Sequence, residues 1–439
     1  MAAPVKVSNI SFPISERFRR LSKESAWIVL GQAAAVVGSL AGVRLLTELL
    51  DPVGYGELVL GMTVTAVVNQ MILGPLGGGV TRFYSAARER GDVGGYLTAV
   101  RRLLLSATAV IVLLNLLIAG GLRLGGAPQW AKIVTAALVF AVISGYNAIL
   151  GGIQTAARQR SVVALHQGIE SWVRYLVAAG FLLILGPTST AVMIGYAVAV
   201  ALVFASQYAF FWRQIGRFAI DDNGAKDWHR KIWSYSWPIS VFGVFTWAQQ
   251  SSDRWALNLL GSTRDVGLYG VITQLGYYPI SLAVGMALQL MAPILYERAG
   301  DASDVERNAG VNKLAVRLAL VALGLTLIAF TGAWIFHAQI FRVFVASEYA
   351  EISPLLPWML LSGGIFAGGQ AMTLSLMSQL KTRALLVCKI TTALLGMGFN
   401  FVGALWWGLQ GIVGASLLFS TLFTAWMAVI TLRKPSGPS

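Results

Sequence analysis

Apolar segments of roughly twenty residues recur along the whole chain, and they restrict its folding more than any other feature. A lipid core about 30 Å thick takes about 20 residues of helix to cross. Within lipid, every backbone N–H and C=O must find a partner inside the protein, so each such segment has to be helical. Apolar runs between polar breaks give twelve spans, at about 25–49, 58–80, 103–123, 131–153, 162–185, 189–212, 235–260, 267–292, 315–337, 354–379, 385–407 and 409–432. Only Gly408-Leu409-Gln410-Gly411 separates the last two. Charged residues are 12% of the 439, against about 25% in soluble domains. The expected class is all-α integral membrane, with short loops and no separate soluble domain.

Basic residues orient the spans. With the N-terminus inside, 25 of the 33 Lys and Arg fall on the cytoplasmic side: in the tail 1–24, then between Arg82 and Arg102, at Arg158 and Arg160, between Arg213 and Lys231, between Arg298 and Arg317, and at Lys381, Arg383, Arg433 and Lys434. Four lie outside, Arg123, Lys132, Arg264 and Arg342, and four fall within spans, Arg44, Arg174, Arg254 and Lys389. This asymmetry places both termini in the cytoplasm. It also accounts for the pI near 10 without a nucleic-acid partner.

The two halves repeat. Arg44-Leu-Leu-Thr-Glu-Leu-Leu50 leads into Asp-Pro-Val-Gly-Tyr-Gly56, and Arg254-Trp-Ala-Leu-Asn-Leu-Leu260 leads into Gly-Ser-Thr-Arg-Asp-Val-Gly-Leu-Tyr-Gly270. Such internal symmetry is typical of secondary transporters, and six spans per half give parallel repeats about an axis along the membrane normal. The expected organisation is a cytoplasmic tail (1–24), an N-lobe (25–212), a cytoplasmic linker (213–234), a C-lobe (235–432) and a C-terminal tail (433–439).

Several stretches carry a resemblance: VRLLTELLDPVGYGELVL (43–60), GPLGGGVTRFYSAARERGD (74–92), SWPISVFGVFTWAQQSSDRWALNLLGSTRDVGLYGVITQL (236–275) and NFVGALWWGLQGIVGASLLFS (400–420). Across essentially the whole chain the sequence resembles the Wzx-type flippases of O-antigen and exopolysaccharide repeat units, in the multidrug/oligosaccharidyl-lipid/polysaccharide exporter superfamily. The resemblance implies two six-helix lobes, related by a pseudo-two-fold axis, around a central cavity. It implies rocking between inward- and outward-open states of a bacterial inner-membrane protein. An undecaprenyl-diphosphate-linked oligosaccharide would move from the cytoplasmic to the periplasmic leaflet. It further implies an ion gradient (H+ or Na+) in place of a cofactor. Its partners would be membrane lipids, a polysaccharide polymerase and glycosyltransferases. The lipid II flippases of the same superfamily usually have fourteen spans, against twelve here.

Ionisable residues at membrane depth need a partner, water or a task. Asp253 and Arg254 stand side by side about 10 Å from the outer end of span seven, and adjacent helix positions point about 100° apart. One reading is an interhelical ion pair. The other puts Arg254 and its repeat partner Arg44 on the outer half of the cavity, where their donor forks match a diphosphate. Asp253 would then hold Arg254 or serve as a coupling-ion site. His166, Glu170 and Arg174 form a second stripe at spacing four. His166 is expected at headgroup level and Arg174 in the cavity, with Glu170 as its neutralising partner or a proton carrier. Asn147, Gln249, Gln250 and Gln274 are further candidates for contact with sugar. Pro75, Pro238 and Pro279 read as hinges or as static kinks.

No Walker A run, no His-Glu-x-x-His and no Cys/His cluster is present. The single cysteine, Cys388, excludes an intramolecular disulfide. These features point away from an ATP motor, a metal site and an enzyme. Two alternatives stay open: a cation-coupled multidrug exporter of the same superfamily, and a membrane-embedded glycan-assembly enzyme or scaffold. Four basic against two clearly acidic residues inside spans favour an anionic substrate.

Overall fold

The same polar turn opens the second span of each half. Asp51 caps α2 (Pro52–Val68) through its carboxylate, which accepts from the Gly54 amide. Ser262 caps α9 (Thr263–Ile272) in a capping box with Asp265. Each cap satisfies amides that helix ends leave unbonded. The computed structural model describes residues 33–215, 222–300, 304–379 and 381–432. The predicted tails, the first residues of span one and the centre of the predicted linker lie outside these.

The described residues are almost entirely helical. Besides α2 and α9, these are α1 (33–49), α3 (Gly74–Glu89), α4 (Val93–Leu124), α5 (Pro128–Ala156), α6 (Arg160–Leu185), α7 (Ser189–Ile215), α8 (Asp222–Leu260), α10 (Tyr278–Ala299), α11 (Val305–Phe344), α12 (Leu356–Ser378) and α13 (Thr382–Leu432). Nine helical stretches among the described residues are long and apolar enough to cross a membrane. Span one, described from residue 33, and span seven, within α8, stand outside that count. The last of the nine, Arg383–Leu432, holds two spans. Gly408 breaks α13 there with φ 54° and ψ −130°, a conformation open to glycine and costly to other residues. The chain is thus a multi-pass membrane protein.

The described part of the 213–234 segment is helical. α8 begins at Asp222, and its first turns pack on the cytoplasmic ends of α3 and α4. Trp228 and Ile232 are buried there, and the Trp228 indole donates to Asp92 Oδ2 at 2.7 Å.

Two features of the second span recur in both halves. A π-turn interrupts each, at Asn69–Leu73 and at Thr273–Tyr277, and a proline follows two residues later, Pro75 or Pro279. α2 and α9 also cross at two glycines. A Cβ on Gly56 would stand 1.9 Å from the Thr263 carbonyl oxygen, and one on Gly267 would stand 1.9 Å from that of Pro52. The contact is reciprocal, as a local two-fold requires.

Packing differs on the two sides of the membrane. Toward the outside, one apolar cluster draws on both halves, from Val43, Leu46, Leu50 and Tyr55 to Val266, Tyr269, Val345, Tyr349 and Ile412. Polar ties reinforce it. The Tyr349 hydroxyl donates to the Leu50 carbonyl at 2.9 Å, the Ala346 amide to Thr47 Oγ1 at 3.1 Å, and Arg264 pairs with Glu351 at 2.8 Å. Toward the cytoplasm, the apolar packing among the described residues divides into separate clusters. One holds α3, α4, α5 and α7 with the start of α8, and another holds α11, α12 and α13.

Candidate functional site: a cavity between the halves

A cavity of about 900 Å³ lies beneath the two-sided outer cluster. It is walled by α1, α2, α6, α7, α8, α9, α10, α12 and both parts of α13. The outer cluster closes it outside, and no apolar cluster among the described residues joins α3, α4 and α5 to α11, α12 and α13 on the other side, so it faces the cytoplasm.

Four charged residues line it among those described: Arg174, Asp253, Arg254 and Lys389. They sit at different depths. At 1.5 Å per residue, Lys389 lies roughly 10 Å from the cytoplasmic end of α13, Arg174 roughly 20 Å along α6, and Arg254 roughly 9 Å below the outer end of α8. Three cations against one acid run the length of the cavity.

Asp253 and Arg254 form a network, not an isolated pair. Arg254 Nη1 donates to the Gln250 carbonyl at 2.7 Å and lies 3.5 Å from Asp253 Oδ1. Its Nη2 reaches the Tyr278 hydroxyl at 3.4 Å. Asp253 Oδ2 accepts from the Tyr269 hydroxyl at 2.8 Å, which also contacts Ser416 at 3.3 Å. A guanidinium carries five N–H donors, so these contacts leave Arg254 with donors for a ligand.

Arg174 is held by aromatic faces. Its guanidinium carbon lies 5.1 Å from the Tyr175 ring centre and 5.2 Å from that of Tyr196, within the range of cation–π attraction. Its Nη2 is 3.5 Å from the Tyr175 hydroxyl, and its Nε is buried with no partner. No carboxylate lies within ion-pair distance of Arg174 or of Lys389 among the described residues. Glu170, one turn before Arg174, instead accepts from Asn147 Nδ2 at 3.0 Å.

Gln249, Gln250 and Gln274 line the cavity. Gln250 accepts from Gln70 at 2.7 Å, and Gln274 donates to Ser39. Asn147 and Glu170 do not line it; they bond to one another between α5 and α6, and Asn147 Oδ1 is buried without a partner. His166 is 5% exposed rather than solvated, with its ring nitrogens at Val162 O and Ser206 Oγ.

Arg44 departs from expectation. It pairs with Glu48, donates to the Val345 carbonyl, and reaches the Arg342 carbonyl at 3.3 Å. It is an outer tie between halves and does not line the cavity. Register explains the difference. The caps Asp51 and Ser262 and the crossing glycines Gly56 and Gly267 are both 211 residues apart, whereas Arg44 and Arg254 are 210 apart. Arg254 therefore stands opposite Val43, and Arg44 opposite Trp255. One residue turns a helical side chain by about 100°.

Residues that the sequence left unassigned complete the walls. Lys389 was only one of four intraspan bases, and Tyr55, Tyr175, Tyr196 and Tyr269 carried no assignment. Only the meeting of separate helices brings them to the cavity.

No known family profile matches the sequence, and no curated protein matches it. Solved structures do. The chain is similar to a lipid II flippase, MurJ, in an inward closed conformation, with TM-score 0.71 and 12% identity over 94% of this chain and 88% of that one. It is also similar to an inward-facing multidrug resistance transporter of the MATE family, with TM-score 0.66 and 13% identity over 91% and 93%. A third is a transporter from Pyrococcus furiosus described as having a binding pocket of reverse polarity, with TM-score 0.57 and 15% identity over 93% and 94%. Two of the three are described as transporters of the MOP superfamily, and this chain shares the fold of all three.

Proposed function

We propose that this protein is a flippase of a bacterial inner membrane. It would carry an undecaprenyl-diphosphate-linked oligosaccharide from the cytoplasmic to the periplasmic leaflet, for surface polysaccharide synthesis. The observation that carries the proposal is the charge of the cavity: Arg174, Arg254 and Lys389 against Asp253 alone. Desolvating cations without carboxylates is expensive, and an anion that enters the cavity relieves that expense. Arginine donors match phosphate oxygens in pairs, while tyrosine faces and glutamine edges suit a sugar.

In the inward-facing form described here, the diphosphate meets Lys389 first, then Arg174, then Arg254. Opening the outer cluster while the cytoplasmic ends close presents the same ligand to the other leaflet. Turnover requires the two forms to differ in affinity for it. Asp253, tied to both Arg254 and Tyr269, is the candidate for ion coupling. Protonation or cation binding there would free Arg254 to grip or release.

One observation supports the multidrug reading as well. Asp253 is an intramembrane acid inside the cavity, and a transporter of cations could use it as a binding carboxylate. A proteoliposome assay separates the two. The flippase reading expects protection of a short-chain prenyl-diphosphate glycan from an external modifying enzyme, lost in Arg254→Ala. Export of a lipophilic cation, with no glycan movement, would reject it.

A further inference from the structure

A second cavity, of about 430 Å³, lies away from the first on the N-terminal half. It is a groove between α5 and α7, roofed at its outer end by Arg123 and Lys132 and walled below by Val139, Ile143, Ile194 and Ala201. Val139 is 49% exposed, so the groove opens sideways toward lipid.

Its length matches one leaflet. Ile143 lies fifteen residues from the outer start of α5 at Pro128, and Ala201 twelve from that of α7 at Ser189. Those steps are roughly 22 and 18 Å, and half of a bilayer with its headgroups is about 20 Å. Polarity follows depth, with charge only at the outer mouth.

The two cations are half of the four on the outer side, where positive charge is sparse. Neither makes an ion pair among the described residues. The nearby acid Glu57 is occupied elsewhere: its carboxylate accepts from Gln129 and, at 2.8 Å, from Ser189.

We propose that this groove binds one outer-leaflet phospholipid with an anionic glycerophosphate head. Arg123 and Lys132 hold the head, and one acyl chain lies between α5 and α7. The site is independent of the central cavity and does not rest on the transport function.

Native mass spectrometry of the purified full chain tests it, with phosphatidylglycerol and phosphatidylcholine as probes. Phosphatidylglycerol is expected to remain bound preferentially. A cation near a charged headgroup contributes about a fivefold change in binding, so Arg123→Gln with Lys132→Gln lowers retention roughly thirtyfold. Ala201→Phe, which fills the groove and leaves both charges, lowers it too, while Arg342→Gln, on the outer side but away from the groove, does not. Equal retention of the two lipids overturns the proposal, as does unchanged retention in both groove variants. Displacement by undecaprenyl phosphate at equimolar concentration also overturns it, since the groove would then serve the carrier's tail. A thermal-unfolding scan shows each variant folded, so a loss of binding is not a loss of protein.

Discussion

Replacing Gly56 or Gly267 with alanine should move the protein toward its outward-open form. Each added Cβ would stand 1.9 Å from a backbone carbonyl oxygen of the opposite helix, whereas real Cβ contacts do not fall below 3.0 Å. The crossing must therefore widen by at least about 1.1 Å. Neither obstacle is a side chain that could swing away. Overpacking of this kind costs about 1–3 kcal/mol, and the contact exists only while the outer side is closed. The closed population should fall about 5- to 150-fold relative to the open one. The two substitutions act on one contact, so their effects should not add. A single cysteine at Gln249, in a Cys388→Ser background, reports the state. An impermeant maleimide should label the parent only from the cytoplasmic side of inverted vesicles, and both alanine variants also from the outside. Gly78→Ala, where a Cβ meets nothing within 4 Å, should behave as the parent. If both crossing variants stay closed to external reagent while folding normally, the crossing is not what seals the outer side.

Other substitutions separate binding from gating. Arg174→Ala and Arg254→Ala should each cut glycan movement at least tenfold without impairing insertion, and lysine should restore part of it because the donor fork is lost; normal surface polysaccharide in both alanine variants would count against the cavity assignment. Arg44→Ala should leave substrate affinity within about twofold and raise external labelling of Gln249→Cys, since it removes a tie to Val345. Asp253→Asn should abolish dependence on the driving gradient while preserving binding of the diphosphate, as measured in detergent. Asp227 tests the reverse case, a charge that matters little. It is exposed, and the hydrogen bond from Lys231, foremost among its causes, holds its carboxyl below the usual range. That contribution is present above the ordinary carboxylate pKa of about 3.9 and fades as pH falls through the depressed value. Asp227→Asn should therefore leave the Tm near neutral pH unchanged within about 1 °C, as exposed pairs generally do.

Much of the architecture was legible in the residues themselves. Hydropathy located the spans because lipid imposes one backbone solution on every crossing segment, and the sparse outer charge gave the orientation. The split at Gly408 was visible as a four-residue break, and its positive φ shows why glycine stands there. Site assignment was harder. Arg254, Arg174 and the three glutamines were found as polar atoms at apolar depth. Arg44 looked equivalent to Arg254 because matching leucines aligned them, yet a one-residue difference between leucine register and cap register turned it outward. Asn147 and Glu170 showed the right polarity, but a sequence cannot tell a pair bonded to each other from one aimed at a ligand. The tyrosines around Arg174 were invisible as a group, since Tyr175 and Tyr196 come from different helices and each alone reads as packing.

The paired π-turns have a consequence for how this chain can change. A π-turn closes i→i+5 and so holds one surplus residue relative to an unbroken α-helix. That surplus delays the phase of everything after it by about 100°. Tyr278 and Leu282 follow the turn at Thr273–Tyr277, and both line the central cavity, as do Tyr269 and Gly270 before it. The two segments present a common wall because the delay lies between them. Deleting a single residue at Gly276 would leave span length and hydropathy almost untouched, yet rotate Tyr278 away from Arg254. Indels at these two points are therefore switches of facing rather than of fold, and a substrate wall could be exchanged there without any substitution within it.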